Sequence, residues 1–203
     1  ALKKAGVAVI QPGIESLSSH CLKLMNKGVS ASQNIALLRH ARSIDLPLNW
    51  NLLYGIRGDK IKEYKFMLDM IPMICHLHPP VGVSHISIDR FSPYFDSPDM
   101  YGISNIRPIR SYAYVFPKSA DISSIAYHFN ADYKSESREH PEIIQDLRRE
   151  ISHWRNSWSS NEVPPVLAII NICDDLHMML DTRCLPGTQV VSFITESQAS
   201  IAL

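Results

Sequence analysis

Between residues 7 and 91, short apolar runs of strand length alternate with longer amphipathic stretches, and no other feature restricts the fold as much. Val7 to Ile10 lies between Gly6 and Pro12-Gly13 and predicts a short strand buried on both faces. Leu17 to Asn26 puts Leu17, Cys21, Leu24 and Met25 on one helical face, and Lys27-Gly28 stops it. Ser30 followed by Gln33 is a capping-box pattern that opens a second helix, which Pro47 ends. Leu48 to Gly55 predicts a second strand, and Ile61 to Leu77 a long helix kinked at Pro72 and closed by Pro79-Pro80. Val83 to Phe91 predicts a third strand. Strand–helix alternation of this kind gives an α/β fold with a parallel sheet and crossover helices. Three strands are too few to close an eight-stranded barrel. The opening ALKKAG has the basic last turn and glycine cap of a helix, so upstream strands are expected from a missing amino-terminal part or a separate chain.

The remainder is less regular. Ser92 to Tyr112 predicts a long loop of the kind that often carries function. Tyr112 to Phe116 predicts a strand and Ile122 to Phe129 a short helix. Glu142 to Trp158 is an amphipathic helix with Ile143, Leu147, Ile151, Trp154 and Trp158 on one face. Val166 to Cys173 and His177 to Thr182 predict a small antiparallel sheet, and QVVSFITESQASIAL a further strand or helix. This division gives two regions: 1–117, the parallel β/α part with its following loop, and 118–203, a small α+β extension.

Composition excludes several function classes. Lys plus Arg equals Asp plus Glu at 20 each, so no net charge marks a nucleic-acid or anionic-membrane partner. No apolar run reaches the roughly 20 residues of a membrane span, and no secretion signal opens the chain. The four cysteines, at 21, 75, 173 and 184, are too sparse for a disulfide framework, which makes a reducing cytoplasm the expected setting.

In parallel α/β sheets ligands bind beyond the carboxyl ends of strands. Gln11 and Glu15 fall at such an end, with Gly13 allowing close backbone approach. On spacing alone, Glu15 and Ser16 serve equally well at a helix amino terminus. Asn51, Tyr54 and Gly55 lie along the second strand, where the Asn51 amide needs either a ligand or a neighbouring backbone group. His76-Leu77-His78 sits at a helix end and suits capping better than metal binding. Cys173, Asp174, Asp175 and His177 have a metal-like composition but are too close in sequence to surround one ion, so no metal site is assigned. Cys21 and the Trp154–Trp158 stripe read as core. G-x-S-x-G, Walker and G-x-G-x-x-G motifs are absent.

The run IQPGIESLSSHCLKLMNKGVSASQNIALLRHARSIDLPLNWNLLYGIRGD resembles the later barrel segments of radical S-adenosylmethionine enzymes of the cobalamin-binding type. With YKFMLDMIPMICHLHPP, ISIDRFSPYF and YGISNIRP, it resembles the radical C-methyltransferases that mature ribosomally made peptides (RiPPs). The resemblance runs from residue 1 to about Phe129, and weakly to Asp181-Thr182-Arg183. It implies the fourth to sixth strands of a partial (β/α) TIM barrel. It also implies S-adenosylmethionine, a four-iron–four-sulfur (4Fe–4S) cluster and cobalamin in the complete enzyme, with a precursor peptide as substrate. Gln11, Glu15 and Ser16 match the family's contacts to the ribose and amino-acid parts of the cofactor. Asn51, Tyr54 and Gly55 match the motif near the adenine, and Ile88 ends the run Ile86–Ile88 whose backbone reads the adenine edge. Arg90, Ser92 and Tyr94 would face the substrate.

Two departures stand out. Arg57-Gly58-Asp59 replaces the family's Pro-Gly-Glu, and no C-x3-C-x2-C motif is present to hold the cluster. The expected role is therefore the carboxyl-terminal part of a radical peptide methyltransferase, a fragment not competent alone. The alternative is a non-catalytic module, or a remnant, that binds a peptide or a partner chain.

Overall fold

The computed structural model describes residues 2–159 and 163–202, which form a mixed α/β protein. A 3-10 turn at Lys3–Ala5 ends at Gly6, whose φ of 85° provides the left-handed cap foreseen for the opening residues. Two helices follow, α1 (Ser19–Leu24) and α2 (Ala31–Ser43). Ser18 caps α1 through its hydroxyl, and Ser30 with Gln33 forms the complete capping box on α2. Strand β1 (Asn51–Tyr54), helix α3 (Ile61–Ile74) and strand β2 (Gly82–His85) complete the alternation. Pro72 falls in the last turn of α3.

β1 and β2 pair in parallel, with Leu52 opposite Val83 and Tyr54 opposite His85. The segment before α1 also runs in parallel, with single bridges from Glu15 to Leu52 of β1 and from Ile10 to Leu48 just before it. The strand expected over Val7–Ile10 is corrected here. The segment is irregular, and Val9 is 55% exposed rather than buried. Pro12 has no N–H to donate, and tight turns close from Ile14 N to Pro12 O (2.9 Å) and from Ser16 N to Ile14 O (2.6 Å).

The second parallel strand is buried on one face only. Leu48, Trp50 and Leu52 are buried, while Asn49 is exposed and Asn51 and Leu53 are half-buried. That period of two puts one face against helices and leaves the other open. The covering layer is α2, α3 and α8 (Pro141–Ser159), whose Leu38, Met67, Ile71, Ile74, Leu147, Ile151 and Trp154 make one core with Ile14, Leu17 and the even residues of the 48–52 segment.

The third strand foreseen over Val83–Phe91 divides between two sheets. β3 (Ile88–Asp89) leaves the parallel pair and lies antiparallel to β5 (His128–Asp132), which also pairs with β4 (Ser104–Pro108). Three further expectations change in this region. Ser92–Tyr112 is structured as α4 (Pro93–Asp96), a 3-10 turn at Pro98–Tyr101 and β4. Tyr112–Phe116 forms the helix α5 (Tyr112–Val115), because the Tyr112 hydroxyl accepts from Tyr127 N and His128 N (2.9 and 3.2 Å) and holds the segment crosswise to β5. The helix expected to reach Phe129 ends early, as α6 (Ile122–Ile125), because Phe129 and Ala131 enter the second core with Ile88 and Ile103.

The last elements are α7 (Glu136–Glu139), α8 and a three-stranded antiparallel sheet ordered β6-β7-β8 (Leu167–Cys173, Leu176–Asp181, Val191–Ile194), followed by α9 (Glu196–Ala202). Both cores combine residues from the two sides of the 117/118 boundary.

A side-chain cluster fixes the end of α3. The carbonyl groups in a helix's last turn have no intrahelical partner. Here the C-cap carbonyl, Cys75 O, accepts from Trp158 Nε1 (2.9 Å), and the other two tryptophans hold the turn beyond the helix: Trp154 Nε1 donates to Leu77 O (3.0 Å) and Trp50 Nε1 to His78 O (3.0 Å). Arg183, held on Asp181 by Nε–Oδ1 (2.9 Å) and Nη2–Oδ2 (2.7 Å), donates to Met73 O (2.6 Å). His76 and His78 therefore sit within this capped turn.

Candidate functional site

A cleft of about 280 Å³ opens where the parallel segments end. Leu53 and Ile86 form its floor, Met25 and Lys27 one wall, and Ser87, Ser92, Tyr94 and Tyr101 the other. The chain turns back towards β1 after α1 because Asn26 and Gly28 both take positive φ (53° and 69°), and this carries Lys27 to the strand end. Lys27 Nζ lies 3.3 Å from Glu15 Oε1. Glu15 itself has φ of 59°, and its carbonyl accepts from Leu53 N at 2.8 Å. Tyr94 and Tyr101 meet edge to face at 4.8 Å.

The Tyr94 hydroxyl is buried, without a hydrogen-bond partner among the described residues. Burial pushes this phenol up to about 12, so it remains a neutral donor at physiological pH. A buried hydroxyl left unpaired costs roughly 1–3 kcal/mol, which a polar ligand atom would recover.

The residues foreseen from the sequence separate into three groups. Ser92 and Tyr94 line the cleft and Glu15 reaches it only through its pair with Lys27, although Ser92 also caps α4 by accepting from Phe95 N at 3.3 Å. Gln11 is exposed beside the irregular segment, and Asn51 belongs to the open-face residues of β1. The other five are engaged elsewhere. Ser16 is fully buried, with its hydroxyl accepting from Ser18 N (3.1 Å) and touching Met67 Sδ (3.8 Å). Tyr54 belongs to the opposite strand face from Leu53 and accepts from Arg148 Nη2 at 3.1 Å. Gly55 spends both backbone groups on the 133–137 segment, donating to Ser137 Oγ (2.9 Å) and accepting from Tyr133 Oη (2.8 Å). Ile88 is buried in the second core. Arg90 donates to Ala126 O and Ser123 O and lies over the rings of Phe95 and Phe129.

Lys27 and Tyr101 were missed, while Leu53, Ile86 and Ser87 fall inside runs the sequence marks without being singled out. The parity of Leu48, Trp50 and Leu52 carries a signal for Leu53, since it assigns the odd residues to the open face. Lys27 is signalled by Asn-Lys-Gly. Tyr101 and Ser87 depend on tertiary contacts that leave no local pattern.

Ser87, Asp89 and His128 form a cluster that superficially resembles a nucleophile–base–acid set. The Ser87 hydroxyl donates to Asp89 Oδ1 (2.6 Å), and His128 Nδ1 lies 2.7 Å from the same oxygen. Both groups point at one carboxylate, and Ser87 Oγ is 3.5 Å from His128 Nδ1. The imidazole is thus poorly placed to activate the hydroxyl.

The Arg57-Gly58-Asp59 loop gains a structural meaning. Asp59 is 1% exposed, and its carboxylate accepts from Tyr64 Oη (2.7 Å) and Ser137 Oγ (2.5 Å). Burial, with the neighbouring Asp59 charge, raises the Tyr64 phenol far above its ordinary value. Gly58 N donates to Lys134 O at 2.9 Å, so the loop anchors the 133–137 segment across the strand ends.

Of the metal-like group near the carboxyl terminus, Asp175 and His177 make docking contacts. His177 Nε2 meets Glu196 Oε2, and Asp175 Oδ1 accepts from Glu196 N (3.3 Å), docking α9 on β7. Among the described residues, no group of three or more His, Cys, Asp and Glu side chains is placed to hold a metal ion. Nor, among them, is any helix long and apolar enough to cross a membrane. No family model matches the chain, and no curated protein matches it.

Proposed function

We propose that this chain is the later part of a radical S-adenosylmethionine enzyme that C-methylates a precursor peptide, with the cleft between Leu53, Ile86 and Tyr94 forming part of its S-adenosylmethionine site. The observation that carries the reading is the cleft itself: the Lys27 ammonium, paired with Glu15 outside the lining, an apolar floor and an unpartnered phenol at the carboxyl ends of parallel segments. Three parallel segments linked by helices also support a partial (β/α) barrel. The cleft volume is just under the roughly 300–1,000 Å³ usual for small-molecule sites, which suits a pocket completed by another segment. The iron–sulfur cluster does not fit this chain. Cys21 is buried on the core side of α1, and no three thiols share a motif, so its ligands would come from another segment. No residue is assigned to cobalamin. What the chain's own residues offer is apolar packing for a heterocycle, hydrogen bonding from Tyr94 and a charged pair for hydroxyl or amino-acid groups.

The test is calorimetric titration of the chain with S-adenosylmethionine. Saturable binding is expected, lost in Leu53→Arg, which fills the floor, and reduced about tenfold in Tyr94→Phe if one ligand hydrogen bond is removed. No binding to wild type, or binding unchanged by Leu53→Arg, would overturn the reading.

A second reading, a non-catalytic peptide- or partner-binding module, is favoured by one observation. Ile170, Met178 and Phe193 are paired across the carboxyl-terminal sheet, and Ile170 and Phe193 are 44% and 65% exposed. That reading expects precursor peptide to bind while S-adenosylmethionine does not.

A further inference from the structure

A second cavity, also of about 280 Å³, lies on the opposite face of β1, between Tyr54, His85 and the start of α8. Its lining contains two guanidinium groups, Arg138 and Arg148, and no carboxylate. Each arginine lies over an aromatic ring, Arg138 at 4.4 Å from the centroid of Tyr133 and Arg148 at 5.3 Å from that of Tyr54. Each spends little hydrogen-bonding capacity there: Arg138 donates to Tyr133 O (3.4 Å) and Arg148 to Tyr54 Oη (3.1 Å). A guanidinium has five N–H donors, so most remain available.

Most of the surrounding carboxylates are engaged with other groups, and Glu139, next to Arg138 in sequence, is exposed and outside the lining. Glu136 pairs with Lys60, Glu142 with His140, and Asp146 and Glu150 with Arg149. Asp59 is buried and outside the lining, its Oδ2 accepting from Ser137 Oγ and Tyr64 Oη and its Oδ1 from Ser137 N (3.5 Å). The 19-residue helix α8 begins at the cavity, lining it with Pro141, Ile144 and Gln145, so its positive dipole end adds to the field. Burial lowers the His85 pKa, which leaves that wall neutral and able to donate or accept one hydrogen bond.

We propose that this cavity binds a phosphate group, clamped between Arg138 and Arg148. Two planar guanidinium forks, arriving from α7 and α8 and steadied by aromatic rings, match the several acceptor oxygens of a tetrahedral dianion. The site is independent of the S-adenosylmethionine reading, because Tyr54 and Leu53 belong to opposite faces of one strand.

Nuclear magnetic resonance of the full chain, following the arginine side-chain N–H signals at low salt, tests the proposal with inorganic phosphate and glycerol 3-phosphate as probes. Saturable shifts at two arginines are expected, weakened about tenfold in Arg138→Gln and in Arg148→Gln, with Arg148→Lys losing less. Arg149→Gln, on the same helix but paired with Asp146, should bind as wild type. Equal affinity for the two probes would mean that the bare anion is recognised, whereas preference for the ester would mean an organic phosphate. Absence of saturable binding, or equal loss in Arg149→Gln, would overturn the site and leave only diffuse surface charge. Thermal melts of each variant separate lost binding from lost folding. Leu53→Arg should leave phosphate binding intact, so this proposal and the cofactor reading fail separately.

Discussion

Gly55 shows how much one residue can decide. Its φ is +75°, and a β-carbon there would lie 2.5 Å from His85 Nε2. Left-handed backbone costs a residue with a β-carbon about 1–2 kcal/mol. The exposed His85 ring can swing aside, so the backbone strain sets the cost, and Gly55→Ala should lower stability by about 1–2 kcal/mol in urea unfolding. The sequence marks Gly55 as important, but for ligand approach. Its place is set by Ser137 and Tyr133, about eighty residues later, which no local pattern reveals. Titrating groups give two further expectations. Burial holds the Cys21 thiol up at about 11, so at pH 8 a thiol reagent should label exposed Cys173 and Cys184 rapidly and Cys21 only after unfolding. Burial, with the Arg183 cation nearby, lowers His76 to about 4 from 6.5. Folding thus favours the neutral ring. The stability it contributes is present above about pH 6.5 and lost as pH falls towards 4. The urea midpoint should drop across that window, and less so in His76→Gln.

Among the elements, those with strong periodicity were legible and those held by long-range contacts were not. The capping box at Ser30, the start of α3 at Ile61 and the apolar face of α8 follow directly from residue spacing. The β6–β7 hairpin follows from two apolar runs and the Asp174-Asp175 turn. β5 was missed because His128–Asp132 alternates over too few residues to outweigh the preceding helical stretch. Val83–Phe91 reads as one strand because apolar content alone does not show where a chain changes sheets. Of the cleft, Ser92 and Tyr94 are legible in the sequence, whereas Leu53 is marked only by the alternation across β1, which puts Tyr54 on the other face. Trp154 and Trp158, read as packing, also act as donors to the end of α3. Trp154→Phe keeps most of the apolar contact but orphans the Leu77 carbonyl. It should cost about 1–3 kcal/mol, measured from the shift in urea midpoint.

At the scale of the molecule, the amino-terminal parallel segments depend on residues far along the chain. α8 supplies Ile143, Ile144, Leu147, Ile151 and Trp154 to the core that covers Leu48, Trp50 and Leu52. Losing one large core side chain costs roughly 2–5 kcal/mol, so losing five costs roughly 10–25 kcal/mol, as much as or more than the about 5–15 kcal/mol stability of an ordinary domain. A chain ending at residue 140 should therefore show no cooperative thermal transition by circular dichroism, and one ending at 117 should behave the same way. The open face of β1 is different: it presents Asn51 and Leu53, half-buried and uncovered by helices, and can accept further strands or a ligand without disturbing the core.

The tryptophan-capped turn also matters to the order in which the chain is made. During translation Trp50 emerges before α3, but Trp154 and Trp158 follow their carbonyl partners by 77 and 83 residues. Until they leave the ribosome, the carbonyls of Cys75, at the α3 C-cap, and of Leu77, in the turn after it, have only water, and the parallel segments lack their outer cover. The nascent chain must wait through most of its own synthesis before its first half can settle, and a ribosome paused in that interval would present a chaperone with an exposed apolar layer.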